Sequence, residues 1–134
     1  MIVIDTSALI AILEQEDGAR EFAASVAAAE ARLVSAATVV EAGIVMLARR
    51  GELGCARLDE LLRDAAVEVV PVTADHARLA RDAFARYGKG RHRAQLNFGD
   101  TFTYALASAS GAPLLFKGED FSHTDLKLVR TSGR

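Results

Sequence analysis

Ile2-Val3-Ile4-Asp5-Thr6-Ser7-Ala8-Leu9-Ile10, residues 2–10, pass from an apolar β-branched triplet to a helical pattern across one aspartate. With nothing polar inside it, the triplet reads as a strand buried on both faces, and Thr6 to about Leu13 as a short helix. The rest of the chain repeats this alternation. Asp17 to Ala29 is a helix rich in Ala and Glu, and Arg32 to Ser35 a brief strand. From Thr38 to about Arg50 the spacing of Val40, Ile44 and Leu47 predicts a helix with those three on its apolar face, stopping at Gly51 behind Arg49 and Arg50. Ala56 to Ala66 is a helix with Leu58, Leu61 and Leu62 inward, and Val67 to Val72 a strand that Pro71 places at an edge or exit. Thr73 caps a helix over Ala74 to Tyr87, with Ala77, Ala80, Phe84 and Tyr87 as its expected face. After the polar loop Gly88 to Gln95, Phe98 to Ser110 is a helix with Phe98, Phe102, Ala105, Leu106 and Ala109 on one side. Gly111 ends it, Pro113 to Phe116 is a second buried strand, and Lys127 to Arg130 a last short one. The pattern is that of an α/β domain with a mainly parallel sheet covered on both faces by right-handed crossovers.

The 134 residues make one domain, 1–134, without repeat, linker or low-complexity tract. A hydrophobic content of 51% with 25% charged residues excludes a disordered or fibrous chain. Sixteen basic against 18 acidic residues give a net charge of −2, so binding of a polyanion has to come from a local patch. Alanine occupies 26 positions and aromatics 6%, which predicts close, mostly helical packing. Lone Cys55 has neither a disulfide partner nor the spaced ligands of a zinc site, and a reducing cytoplasm is expected. Apolar stretches stay short of the ~18–20 residues of a membrane span, and the N-terminus has no positive region of the signal-peptide kind. His76, His92 and His123 lack zinc-site spacing and are expected to play ordinary surface roles.

The topology gathers carboxylates. A helix that follows or precedes a parallel strand has its N-terminus at the carboxyl edge of the sheet, where open α/β sheets bind ligands. Asp5 directly follows the first strand, and Glu41 is expected in the first turn of the helix after Arg32 to Ser35. Asp100 lies in the first turn of the helix leading into the late strand, and Asp120 four residues beyond that strand. Each alone has a structural explanation: Asp5 as an N-cap, Thr38 to Glu41 as a capping box, Asp100 at a helix N-terminus, Asp120 in a turn. Four together repel one another unless a cation neutralises them, and the natural one is Mg²⁺ or Mn²⁺. Such a site activates water and stabilises charge on a phosphodiester oxygen, which points to phosphoryl chemistry. Ser7 and Thr101 sit beside these acids as orienting hydroxyls or as helix caps. Asn97 is placed to bond a carboxylate, a phosphate or its own loop.

Together these segments, residues 1–10, Glu41, residues 96–107 around Asp100 and residues 113–121 leading to Asp120, resemble a PIN domain. More narrowly, they are similar to the VapC toxins of prokaryotic toxin–antitoxin pairs, in order and along the whole chain. The resemblance implies a three-layer α/β/α fold and a Mg²⁺- or Mn²⁺-dependent endoribonuclease. It further implies a homodimer neutralised by a cognate VapB-type antitoxin received in a groove between residues 17 and 50. Asp5, Glu41, Asp100 and Asp120 would be the acidic metal ligands, with Ser7 and Thr101 in support. Asp5 and Asp100 would hold the main ion directly or through water, Glu41 would bind water or a second ion and help deprotonate the nucleophile, and Asp120 would tune the site and matter least. Lys117-Gly118-Glu119 departs from the family pattern, which makes Glu119 a rival of Asp120; the following Phe121 favours Asp120.

Arg86, Lys89, Arg91 and Arg93, with His92 among them, form a basic segment ahead of Asp100 that either holds an RNA backbone or is a solvated loop. Lys117 is a further candidate phosphate contact. Two other classes compete. A receiver-like signalling domain shares the acidic pocket and the late lysine, but this chain lacks an adjacent acidic pair after its first strand. A silent binding module has no reason to keep four mutually repelling charges.

Overall fold

The structure, a computed structural model, describes residues 1–130. In chain order the elements are β1 (Ile2–Ile4), α1 (Thr6–Leu13), α2 (Ala19–Ala28), β2 (Arg32–Ser35), α3 (Ala36–Asp64), β3 (Val67–Val70), α4 (Ala74–Tyr87), α5 (Phe98–Ser110), β4 (Leu114–Leu115) and a 3₁₀ turn, Asp120–His123. The strands form one parallel sheet in the order β3-β2-β1-β4. Val3 pairs with both Leu33 and Leu114, so β1 lies at the centre, and β3 with its following Pro71 takes an edge.

Strand side chains alternate between two cores, as a period of two requires. Ile2, Ile4, Val34 and Leu115 pack with Leu9, Met46, Leu58 and Leu62 under α1, α2 and α3. Val3, Leu33 and Leu114 pack with Ala83, Tyr104, Leu106 and Phe121 under α4 and α5. The result is a three-layer α/β/α fold, stabilised by roughly 1.5–3 kcal/mol for each large apolar side chain removed from water.

Several expectations are corrected. The α3 helix starts at Ala36, capped by Ser35, whose hydroxyl accepts the Ala37 N–H. Thr38 therefore caps nothing, no Thr38–Glu41 box forms, and Glu41 stands in the second turn. Gly51 kinks α3 at φ 63° and ψ −153°, a conformation essentially confined to glycine, and the helix resumes at once rather than at Ala56. The expected inner face of α3 is outside: Val40, Ile44 and Leu47 are 61%, 63% and 53% exposed, while Thr38, Ala42 and Met46 are buried. Both stripes have helical spacing, and the smaller one lets the helix approach the sheet closely. On α4 the buried set is His76, Ala80 and Ala83, leaving Ala77 and Phe84 exposed and taking His76 off the surface. Phe98 and Ala109 of α5 are exposed as well. The strand expected over Lys127 to Arg130 reduces to one bridge, between Leu114 and Leu128.

Candidate active site

The β1 strand ends at Asp5, which caps α1. Its Oδ2 accepts the Ser7 backbone N–H at 3.0 Å and the Ser7 hydroxyl at 2.7 Å. Its Oδ1 accepts the hydroxyl of Thr103, from α5, at 2.8 Å. Asp5 is thus a buried carboxylate whose two oxygens are both held by donors. Ser7 also reaches the end of β4, since its hydroxyl accepts the Lys117 backbone N–H at 2.8 Å. The Glu41 carboxylate comes down from α3 and accepts the Thr6 hydroxyl at 2.6 Å.

Asp100 occupies the first turn of α5 within a reciprocal cap. Its N–H donates to Asn97 Oδ1 and its Oδ2 accepts the Asn97 N–H, each at 2.9 Å. Gly99 lets this turn come close, because a Cβ there would overlap the Glu41 carboxylate. Asp120 opens the 3₁₀ turn, anchored by buried Phe121.

Asp5, Glu41, Asp100 and Asp120 line a single open cavity of about 340 Å³, together with Ser7, Asn97, Glu16, Arg49 and Lys117. Glu119 instead lines a neighbouring groove beside Phe22 and Phe116. Of the four acids, Asp100 carries the electrostatic strain. Its carboxyl is pushed from 3.8 up to about 7, chiefly by burial and further by the negative charges of Asp5, Asp120 and Glu41, against the lowering effect of the Asn97 N–H. The cavity rim carries its own cations: Lys117 Nζ bonds Glu16 at 2.9 Å, and Arg49 approaches the same carboxylate at 3.6 Å.

Not every expected residue faces this cavity. The Thr101 hydroxyl donates to the Phe98 carbonyl at 2.6 Å, satisfying its own helix turn, and Thr103 is the α5 hydroxyl that meets an acid. Asn97, which does line the cavity, serves as the α5 cap. Arg86 is engaged away from the acids: it bonds the Tyr87 hydroxyl at 2.8 Å, stacks over that ring and pairs with Asp125 at 3.4 Å. Asp125 in turn accepts the Tyr104 hydroxyl at 2.6 Å. Arg91 bonds the Ala85 carbonyl, and Lys89 and Arg93 stand exposed on a loop folded over buried Ala94 and Leu96. Sequence reasoning missed Thr6, Thr38, Gly99 and Thr103. A signal existed for two of them, since Thr38 precedes Glu41 by three residues and Thr103 follows Asp100 by three, a spacing that shares a helix face.

The model of the PIN domain family matches residues 2–127. The chain belongs to the PIN-domain family. Within it, the chain is 56% identical over 128 residues to Ribonuclease VapC30 of Mycobacterium tuberculosis, covering 96% of this chain and 98% of that protein. It is 53% identical over 128 residues to a Ribonuclease VapC of Mycolicibacterium smegmatis, covering 96% of this chain and 99% of that one. It is therefore a PIN domain of the VapC type, which sets the receiver-like alternative aside. The fold is shared with a crystal structure of Mycobacterium tuberculosis VapC20, described as a sarcin–ricin loop cleaving toxin. That match has a TM-score of 0.80 and 20% identity, covering 97% of this chain and 99% of that one.

Proposed function

We propose that this PIN domain is an endoribonuclease toxin that hydrolyses RNA phosphodiester bonds with the aid of Mg²⁺, or Mn²⁺ in its place. The observation that carries this reading is the convergence of Asp5, Glu41, Asp100 and Asp120 on one cavity, with Asp100 held far above its ordinary carboxyl range. An all-oxygen donor set under mutual repulsion fits a hard divalent cation. Among the described residues no group of three or more His, Cys, Asp or Glu side chains stands ready to hold a metal ion, so the reading rests on the four acids lining one cavity.

Asp5 and Asp100 are the residues to hold the ion, and Glu41 and Asp120 complete the negative wall. When bound, the ion polarises a phosphodiester oxygen and acidifies water. The protein's own contributions follow from its contacts. Ser7 and Thr103 fix the Asp5 carboxylate in one orientation. Thr6 holds one Glu41 oxygen, and the carboxylate, which lines the cavity, is the acceptor for the proton of the attacking water. Lys117 and Arg49 offer the cavity mouth two cations for the phosphates on either side of the scissile bond. Lys89 and Arg93 extend the basic surface for RNA, whereas Arg86 is spent on Tyr87 and Asp125.

Two exposed apolar surfaces suit two partners. Val40 and Ile44 of α3 flank Glu41 and Val45, which line the acidic cavity, so a VapB-type antitoxin seated on that stripe can reach the acids with a basic side chain. Phe84, Phe98 and Phe102 line an almost purely apolar groove between α4 and α5, the face for a second copy in a homodimer. No helix among the described residues is long and apolar enough to cross a membrane, and an RNA substrate puts the action in the cytoplasm. The test is incubation of the antitoxin-free protein with total RNA and tRNA. Cleavage with Mg²⁺ or Mn²⁺ that stops with EDTA is expected; intact RNA under every metal condition refutes the reading.

A further inference from the structure

The floor of the site holds two hydroxyls that an apolar core does not need. Thr38 and Thr103 are each 1% exposed, and their oxygens lie 3.3 Å apart across 65 residues of sequence. Thr103 donates to Asp5 Oδ1, a carboxylate oxygen that only accepts, so its proton is committed there. Thr38 must then be the donor to Thr103, and a directed chain runs Thr38 to Thr103 to Asp5. Valine has nearly the shape of threonine and would be cheaper to bury at these two positions. Burying hydroxyls here is sustained only by the bonds they make.

Resting on the nuclease reading above, we propose that Thr38 and Thr103 are positioning residues, a buried hydroxyl relay that orients Asp5 and sets the spacing of the three acid-bearing elements. The relay ties α3 to α5 one helical turn below Glu41 and Asp100, and ties both to the end of β1. It also selects an atom. Asp5 Oδ2 accepts two bonds from Ser7, while Oδ1 accepts one from Thr103, so by count Oδ1 keeps one lone pair that these bonds do not use. Without the Thr103 hydroxyl the carboxylate is held from one side only and rotates about Ser7.

The test compares full-length wild type with Thr103→Val, Thr103→Ser and Thr38→Val, reading Mn²⁺ affinity by calorimetry, RNA cleavage and melting temperature. Loss of an outer partner of a metal-holding carboxylate lowers metal affinity by about 10- to 100-fold. That loss is expected for Thr103→Val, with affinity restored by Thr103→Ser and a smaller loss for Thr38→Val, which keeps the bond to Asp5. A folded Thr103→Val protein that binds Mn²⁺ like wild type, beside active wild type, overturns the relay alone. If Thr103→Val fails to fold, Thr38→Val decides: Mn²⁺ affinity equal to wild type overturns the relay. Wild type that neither binds Mn²⁺ nor cuts RNA overturns the nuclease reading and the relay with it.

Discussion

Replacing Asp100 by asparagine stabilises the metal-free protein at neutral pH. The perturbation is small in shape: asparagine keeps an Oδ1 acceptor for the Asn97 N–H, so the cap of α5 survives while the charge is removed. The folded protein holds the Asp100 carboxyl up at about 7 instead of 3.8, because the group is desolvated and faces Asp5, Asp120 and Glu41. A folded-state value above the unfolded one means that the folded protein favours the protonated acid. The full stability is present below about pH 4, where both states are protonated, and falls as pH rises toward 7. A rise of that size corresponds to roughly 4 kcal/mol at most, and partial solvent access reduces this to about 2–3 kcal/mol. For a domain of this size that is roughly 5–12 °C in melting temperature. The assay is thermal or urea unfolding in EDTA across the pH range. Asp100→Asn is expected to exceed wild type by this margin near pH 7.5, to match it near pH 4, and to lose its lead when Mg²⁺ is added. An asparagine variant no more stable than wild type at neutral pH refutes the claim that these carboxylates crowd one another at a cost.

Other expectations concern position. Gly99→Ala puts a methyl group into the Glu41 carboxylate that Thr6 holds in place; RNA cleavage should fall by about tenfold or more while the circular-dichroism spectrum stays native. Arg86→Ala should cost about 0.5–1 kcal/mol in urea unfolding, because its bonds to Tyr87 and Asp125 are solvent-exposed. Lys89→Ala with Arg93→Ala should leave stability unchanged and make the salt dependence of RNA affinity shallower by up to about 1.4 in log–log slope for single strands. Ile44→Asp, on the exposed stripe of α3, should abolish capture of the cognate antitoxin in a pull-down without lowering the melting temperature.

The sheet was legible because buried parallel strands leave an unmistakable trace: Ile2 to Ile4 and Arg32 to Ser35 stand where their composition put them. The cap at Thr73 and the stop at Gly111 were equally local signals, a side chain and a left-handed residue each acting on its own turn, whereas the capping role of Asn97 was not read. Helix faces were not. On α3 two apolar stripes compete, and the winner is decided by how closely Ala42 lets the helix approach the layer beneath it, a tertiary quantity with no local trace. The stripe that lost stays exposed and is the surface proposed above for the antitoxin. At the site, the strand-edge rule located the four acids, because topology alone carries their elements to one edge. What holds the acids was harder to read. The bonds from Thr6 to Glu41 and from Thr103 to Asp5 span 35 and 98 residues, and a hydroxyl in a helix looks the same in sequence whether it meets a distant carboxylate or its own turn, as Thr101 does.

Everything proposed about chemistry turns on the four carboxylates acting as one metal-holding centre, with Asp5 at its heart. The most direct measurement is RNA cleavage by antitoxin-free wild type beside Asp5→Asn, across a Mg²⁺ and Mn²⁺ titration and with EDTA. Asparagine keeps the shape and removes the charge, and its single amide oxygen keeps either the Ser7 bonds or the Thr103 bond while its NH2 faces the other donor. Metal-dependent cutting by wild type that Asp5→Asn abolishes at every metal concentration is the predicted result. Cutting that survives the substitution, or proceeds equally in EDTA, contradicts the account.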